Sequence, residues 1–228
     1  MHVVAREQPQ ERAEFIKKTY THLAGAVGAF ILLETFLIQS GIAEILTTAL
    51  MGSRLSWLAI LAAFSVLGWL SRELAGKADS VSLQYTGLGL YVAAEAILFA
   101  PLIFIANNLY DPTIVPTAGI LTSLMFVGLT AVAFTTGKDF SFLGGALKIG
   151  GCVALGLIIC SVIFGFTLGV FFSVMMVGFA MAAILYDTSK IMHHYTKGQY
   201  VAASLELFAS VALLFWYVLQ ILMSLSRR

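Results

Sequence analysis

The chain has 228 residues, 60% of them hydrophobic and only 11% charged, with a formal net charge of +1. That composition lies far outside the range of soluble domains, and the near-neutral balance leaves no basic patch to neutralise nucleic-acid phosphates. What remains is an all-α polytopic membrane protein, because apolar runs in lipid must satisfy their backbone within each segment.

The first 21 residues are polar, with Glu7, Glu11 and Glu14 interleaved among Arg6, Arg12, Lys17 and Lys18. The acidic residues exclude a signal peptide. Their spacing predicts a short amphipathic helix at the membrane surface, with Phe15 and Ile16 on its apolar side. Residues 1–21 therefore read as a cytoplasmic segment, and 22–228 as a single transmembrane bundle without linkers.

Seven stretches are long enough to cross a bilayer, which takes about 20 mostly apolar residues. They fall near 22–42, 55–72, 84–106, 113–136, 142–164, 167–189 and 200–224. Between them lie breakers: Gly52-Ser53, the charged stretch Arg72 to Asp79, Asn107-Asn108 with Asp111-Pro112, Gly137-Lys138-Asp139, Gly165, and Lys197-Gly198. A cytoplasmic N-terminus collects Arg6, Arg12, Lys17, Lys18, Arg72, Lys77, Lys138, Lys190 and Lys197 on one side, against Arg54 on the other. Arg227 and Arg228 break this pattern if the last segment spans, and a re-entrant last segment would restore it. Pro101, inside the third span, frees a carbonyl one turn earlier that neighbours must satisfy, whereas Pro116 sits harmlessly in a first turn. Cys152 and Cys160 lie roughly 12 Å apart along one helix and read as small packed thiols.

Four carboxylates fall within or at the edges of spans: Glu34, Glu95, Asp187 and Glu206. Intramembrane acids are costly and either tie helices together or carry protons and ions. Asp187 ends the apolar run from Phe171 to Tyr186, and Ala183, Ala180, Met176 and Ser173 precede it on one helical face. Glu206 is flanked in the same way by Ala202, Ala203, Ala209 and Ser210. Both acids should point inward at similar depth. Two such carboxylates cannot both ionise cheaply, so one holds a proton or the pair shares a cation, the chemistry of a pH-sensitive gate or a weak calcium site.

Glu34 and Glu95, nearer mid-membrane, would extend a polar path or pair with Lys148, which otherwise snorkels to the interface. Arg72 is either an interfacial anchor or a latch onto an intramembrane acid. His193 and His194 read as loop residues able to titrate near neutrality.

Phe15-Ile16-Lys17-Lys18-Thr19-Tyr20, Glu95 to Pro101 (EAILFAP), Thr135 to Ser141 (TTGKDFS) and Tyr186 to Ile191 (YDTSKI) occur in the order found in the transmembrane Bax inhibitor motif family, and the chain resembles its bacterial branch. The resemblance implies a seven-helix fold with the last helix surrounded by the other six, and a proton-sensitive calcium leak sensed by an aspartate pair on the sixth and seventh spans. Asp187 matches the first aspartate. Phe208 stands where the second would be, with Glu206 about 200° around the helix from it.

The expected function is a pH-sensitive cation leak of the bacterial inner membrane, with calcium permeant or weakly bound at Asp187 and Glu206. The alternative is a non-transporting regulator of another membrane protein, such as a quality-control protease. No zinc-protease motif, nucleophile elbow or phosphate-binding loop suggests an enzyme.

Overall fold

Uninterrupted apolar runs separated by single glycines and short polar turns fold into helices that stop where those turns begin. In the computed structural model, residues 9–51, 54–77 and 80–226 are described; Arg6, Glu7, Gly52, Ser53, Asp79, Arg227 and Arg228 lie outside them. The helices are α1 (Pro9–Gln39), α2 (Ile42–Met51), α3 (Arg54–Ala75), α4 (Val81–Leu109), α5 (Ile114–Thr136), α6 (Leu143–Phe164), α7 (Gly169–His193) and α8 (Tyr200–Ser226). Seven are long and apolar enough to cross a membrane, and α2 is too short. The protein is an all-α, multi-pass membrane protein.

The N-terminal polar segment is not a separate surface helix. From Pro9 onward it is continuous with the first span, because no breaker separates them and an established helix propagates. Its apolar side turns inward: Phe15 and Thr19 are buried, and the Phe15 ring lies 6.3 Å from that of Tyr195. Glu11 pairs with Lys197 at 2.5 Å, tying the start of α1 to the α7–α8 turn. Gly41, at φ 79°, ends α1 in a backbone shape that side chains with a Cβ avoid. Beyond it, α2 buries Ala43, Thr47 and Leu50, one face at helical spacing.

The last segment spans. α8 is unbroken from Tyr200 to Ser226, roughly 40 Å at the helical rise, so the re-entrant alternative is not formed. It packs against α1, α3, α4, α5 and α7, and Ala154 of α6 shares a cluster with its Tyr217. Its neighbour α4 is as deeply buried and runs through Pro101 without a break; the carbonyl left without its donor there is that of Ile97.

Two close approaches fix the frame. A Cβ on Gly87 would fall 2.5 Å from the Ser71 carbonyl oxygen and 2.7 Å from the Ala75 nitrogen, so the α3 and α4 backbones touch. At the other, Gly137 caps α5 in the left-handed region and turns the chain so that Asp139 meets the end of α7. The Asp139 Oδ1 accepts from the Ser141 amide at 2.9 Å and from the Ser189 hydroxyl at 3.1 Å, while Oδ2 lies 3.2 Å from His194 Nε2. Ser189 in turn accepts from the Phe140 amide at 2.8 Å. These donors, the Ser141 amide foremost, favour the charged form and lower the Asp139 pKa from 3.8 to about 2.

Gly87→Ala should lower the thermal stability of the detergent-solubilised protein by about 1–3 kcal/mol, since backbone has to move to admit the methyl. For Asp139 the folded-state pKa is depressed. Its contribution is therefore complete above the ordinary value of 3.8 and lost as the pH falls to about 2. Amide-exchange protection of the 137–142 loop should hold down to that window and then drop, and Asp139→Asn should remove this acid-dependent step.

Candidate functional site

The inward face of α7 is Ser173, Met176, Ala180, Ile184, Asp187 and Ile191, all buried at spacings of three and four. Ile184 is fully buried in this stripe, while Ala183 beside it is half-buried. Asp187 is 7% exposed, and its Oδ2 accepts from the Ser210 hydroxyl of α8 at 2.5 Å, in the short range of hydroxyl–carboxylate bonds.

Glu206 lies one turn before Ser210 on the same face of α8. Its partner is not Asp187 but Arg72, in the last turn of α3. The Arg72 Nε–H is shared between Oε1 at 3.1 Å and Oε2 at 3.2 Å. The guanidinium also stacks 5.2 Å from the Tyr91 ring centre on α4, and a delocalised planar cation suits such a face. Of the two readings of Arg72, the geometry shows it holding an intramembrane acid.

Glu95 is buried one turn beyond Tyr91 and faces its phenol. A polar chain thus runs from Asp187 through Ser210 and Glu206 to Arg72, Tyr91 and Glu95, crossing α7, α8, α3 and α4. Lys190 stands at its edge, the ammonium lying 5.2 Å and 5.3 Å from the Tyr186 and Tyr195 ring centres. Glu34 is not part of the chain. It is buried on α1, with both carboxylate oxygens lacking a hydrogen-bond partner among the described residues. Lys148 is exposed on α6 and pairs with neither Glu34 nor Glu95 among the described residues.

Phe208 is buried and makes edge contacts with Phe30 at 6.0 Å and Tyr91 at 6.2 Å, so it turns toward α1 and α4. The carboxylate neighbouring Asp187 comes instead from Glu206, because Ser210, which binds Asp187, is its i+4 neighbour. Ser210 and Tyr91 carry much of this geometry; from the sequence Ser210 reads only as a small neighbour of Glu206, and Tyr91 is not singled out. Their four-residue spacing from Glu206 and Glu95 was the available signal. No group of three or more His, Cys, Asp or Glu side chains able to hold a metal exists among the described residues. Calcium takes roughly six to eight oxygen ligands, so Asp187 and Glu206 alone do not form a tight resident site.

A family profile described as "Inhibitor of apoptosis-promoting Bax1" matches residues 12–227. The chain belongs to the Bax inhibitor family. It is 38% identical over 110 residues to an uncharacterized protein of Pseudomonas aeruginosa, covering 48% of this chain and 49% of that one. Bax inhibitor 1 of Schizosaccharomyces pombe is 32% identical over 151 residues, 64% of this chain and 54% of the relative. With these two the chain spans about half the relative's length. An uncharacterized membrane protein of Vibrio cholerae is 27% identical over 219 residues, covering 95% of this chain and 92% of that one. In this family member, then, position 208 is aromatic and Arg72 binds Glu206.

Arg72 and Glu206 are both partly exposed, which screens their attraction. A double-mutant cycle of Arg72→Gln and Glu206→Gln, read by thermal unfolding in detergent, should give a coupling of roughly 1 kcal/mol. A coupling indistinguishable from zero would mean that the ion pair does not fasten α3 to α8.

Proposed function

We propose that this protein is a pH-responsive cation leak of the bacterial inner membrane, with its N-terminus cytoplasmic and calcium as the permeant ion. The observation that carries the reading is the placement of Asp187 one α8 turn from Glu206, whose carboxylate is already held by the single guanidinium of Arg72. Protonated Asp187 leaves Arg72 to Glu206 alone. Ionised Asp187 adds a second carboxylate beside the same cation, so the charge balance at the α3–α8 contact changes with pH. Lys190 and the Tyr91 and Tyr195 rings border this site, and Glu95 continues it toward mid-membrane.

Because Arg72 reaches Glu206 from the end of α3, this helix is the element released when the pair breaks. Calcium fits as cargo because carboxylate oxygens attract a hard divalent cation, and a site short of oxygens lets it go.

Calcium flux into proteoliposomes tests this. Wild-type flux should vary with pH, and Asp187→Asn should hold it flat at the value reached on the acid side, since the amide mimics the protonated acid. Arg72→Gln should raise flux about fivefold over the acid-side wild-type value and flatten its pH dependence, the effect of losing a screened ion pair worth roughly 1 kcal/mol. A pH-independent wild-type curve, or a pH response unchanged by Asp187→Asn, overturns the gate. Absence of flux at any pH would favour the non-transporting regulator.

A further inference from the structure

Outside the acid chain, a groove of about 440 Å³ between α1 and α4 is left unused by the leak. Its floor is backbone. Gly25 and Gly89 line it, and a Cβ on either would meet nothing within 4 Å. With Ala29 they are exposed on the bundle's outer side, so the groove opens sideways toward lipid. From Thr21 to Leu33 the lining rises roughly 18 Å, close to one leaflet of a hydrocarbon core about 30 Å thick.

The two ends differ. Toward Leu33 the groove is apolar. At the Thr21 end His22 places Nδ1 2.7 Å from the Lys18 carbonyl and Nε2 2.6 Å from the Tyr85 hydroxyl. A carbonyl only accepts, so Nδ1 carries the proton, and in the neutral ring Nε2 accepts from Tyr85. Lys17 and Lys18 stand one turn earlier, at i−4 from Thr21 and His22, and so lie directly below the mouth. Lys18 pairs with Glu14 at 2.7 Å, while Lys17 has no ion-pair partner among the described residues. The positive end of α4, capped by Ser80, begins one turn before Tyr85 and adds to the field there.

We propose that this groove binds one anionic glycerophospholipid, with an acyl chain along Gly25, Ala29 and Gly89 and the headgroup phosphate at Lys17, Lys18 and the start of α4. An apolar trough of single-leaflet length that ends in cations at the interface is complementary to a charged lipid. A second copy of this chain, docked helix to helix over the glycines, would leave Lys17 without a counter-charge among the described residues, Lys18 being paired with Glu14.

The test is native mass spectrometry of the purified full chain in detergent with equimolar dioleoyl phosphatidylglycerol and dioleoyl phosphatidylcholine. Wild type should retain one phosphatidylglycerol with about tenfold preference, in keeping with the attraction of interfacial lysines for anionic headgroups. Lys17→Ala with Lys18→Ala should abolish the preference while a lipid is still retained. Gly25→Leu with Gly89→Leu should expel the lipid, and these changes favour helix, so unchanged circular dichroism is expected of them. Should the leucine variant not fold, the lysine variant still decides. Equal retention of both lipids by wild type, a preference unmoved by the lysine pair, or a two-chain mass in place of the lipid adduct overturns the proposal.

Discussion

A charge set among apolar helices persists only where something compensates it, and in this protein that compensation is the bond from Arg72 to Glu206. It joins the end of α3 to α8, two helices far apart in sequence, and sets the orientation of the groups around it. Glu206 faces α3, so Ser210, one turn on, is directed at Asp187. The guanidinium needs a surface to rest on, and Tyr91 of α4 supplies it. Glu95, one turn further along α4, joins the same neighbourhood. Remove the pair and the polar chain has no centre.

The clasp at the end of α7 serves a different purpose. Asp139 gathers the Ser141 amide, the Ser189 hydroxyl and the His194 ring, so the α5–α6 turn is fastened to α7 two residues beyond Asp187. Gly137 makes this possible by reversing the chain in a left-handed shape. Asp187 is thus placed between two fastenings, Ser210 within the membrane and the Asp139 cluster at its edge.

Packing also accounts for what the family's paired-aspartate pattern does not carry into this chain. Phe208 fills the space between α1 and α4 with edge-on aromatic contacts, and an acid there would lie in an apolar pocket formed by Phe30 and Tyr91. The second carboxylate near Asp187 comes from the opposite side of α8, already neutralised by Arg72. The site therefore holds one acid beside an ion pair rather than two aspartates side by side.

Much of the architecture was legible in the residues. Span number, the membrane class and the burial of Asp187 follow from apolar run length and from small residues at helical spacing, which are local properties, whereas Glu206 is only half-buried. The continuity of α1 through the polar start and the short helix α2 were missed, since burial of Phe15 by Tyr195 and of Ala43, Thr47 and Leu50 by other helices is not written in local pattern. Partner choice was the least legible. Periodicity gives each acid a face, but whether Arg72 takes Glu206 or Asp187, and that Glu34 has no hydrogen-bond partner among the described residues, depends on helix rotation and crossing. Those are decided by close contacts such as Gly87 on Ser71, between residues remote in the chain. Residue type and periodicity along each helix mark the charged groups and their small-residue faces; which of them meet follows from helix packing, because it depends on distances between helices rather than along them.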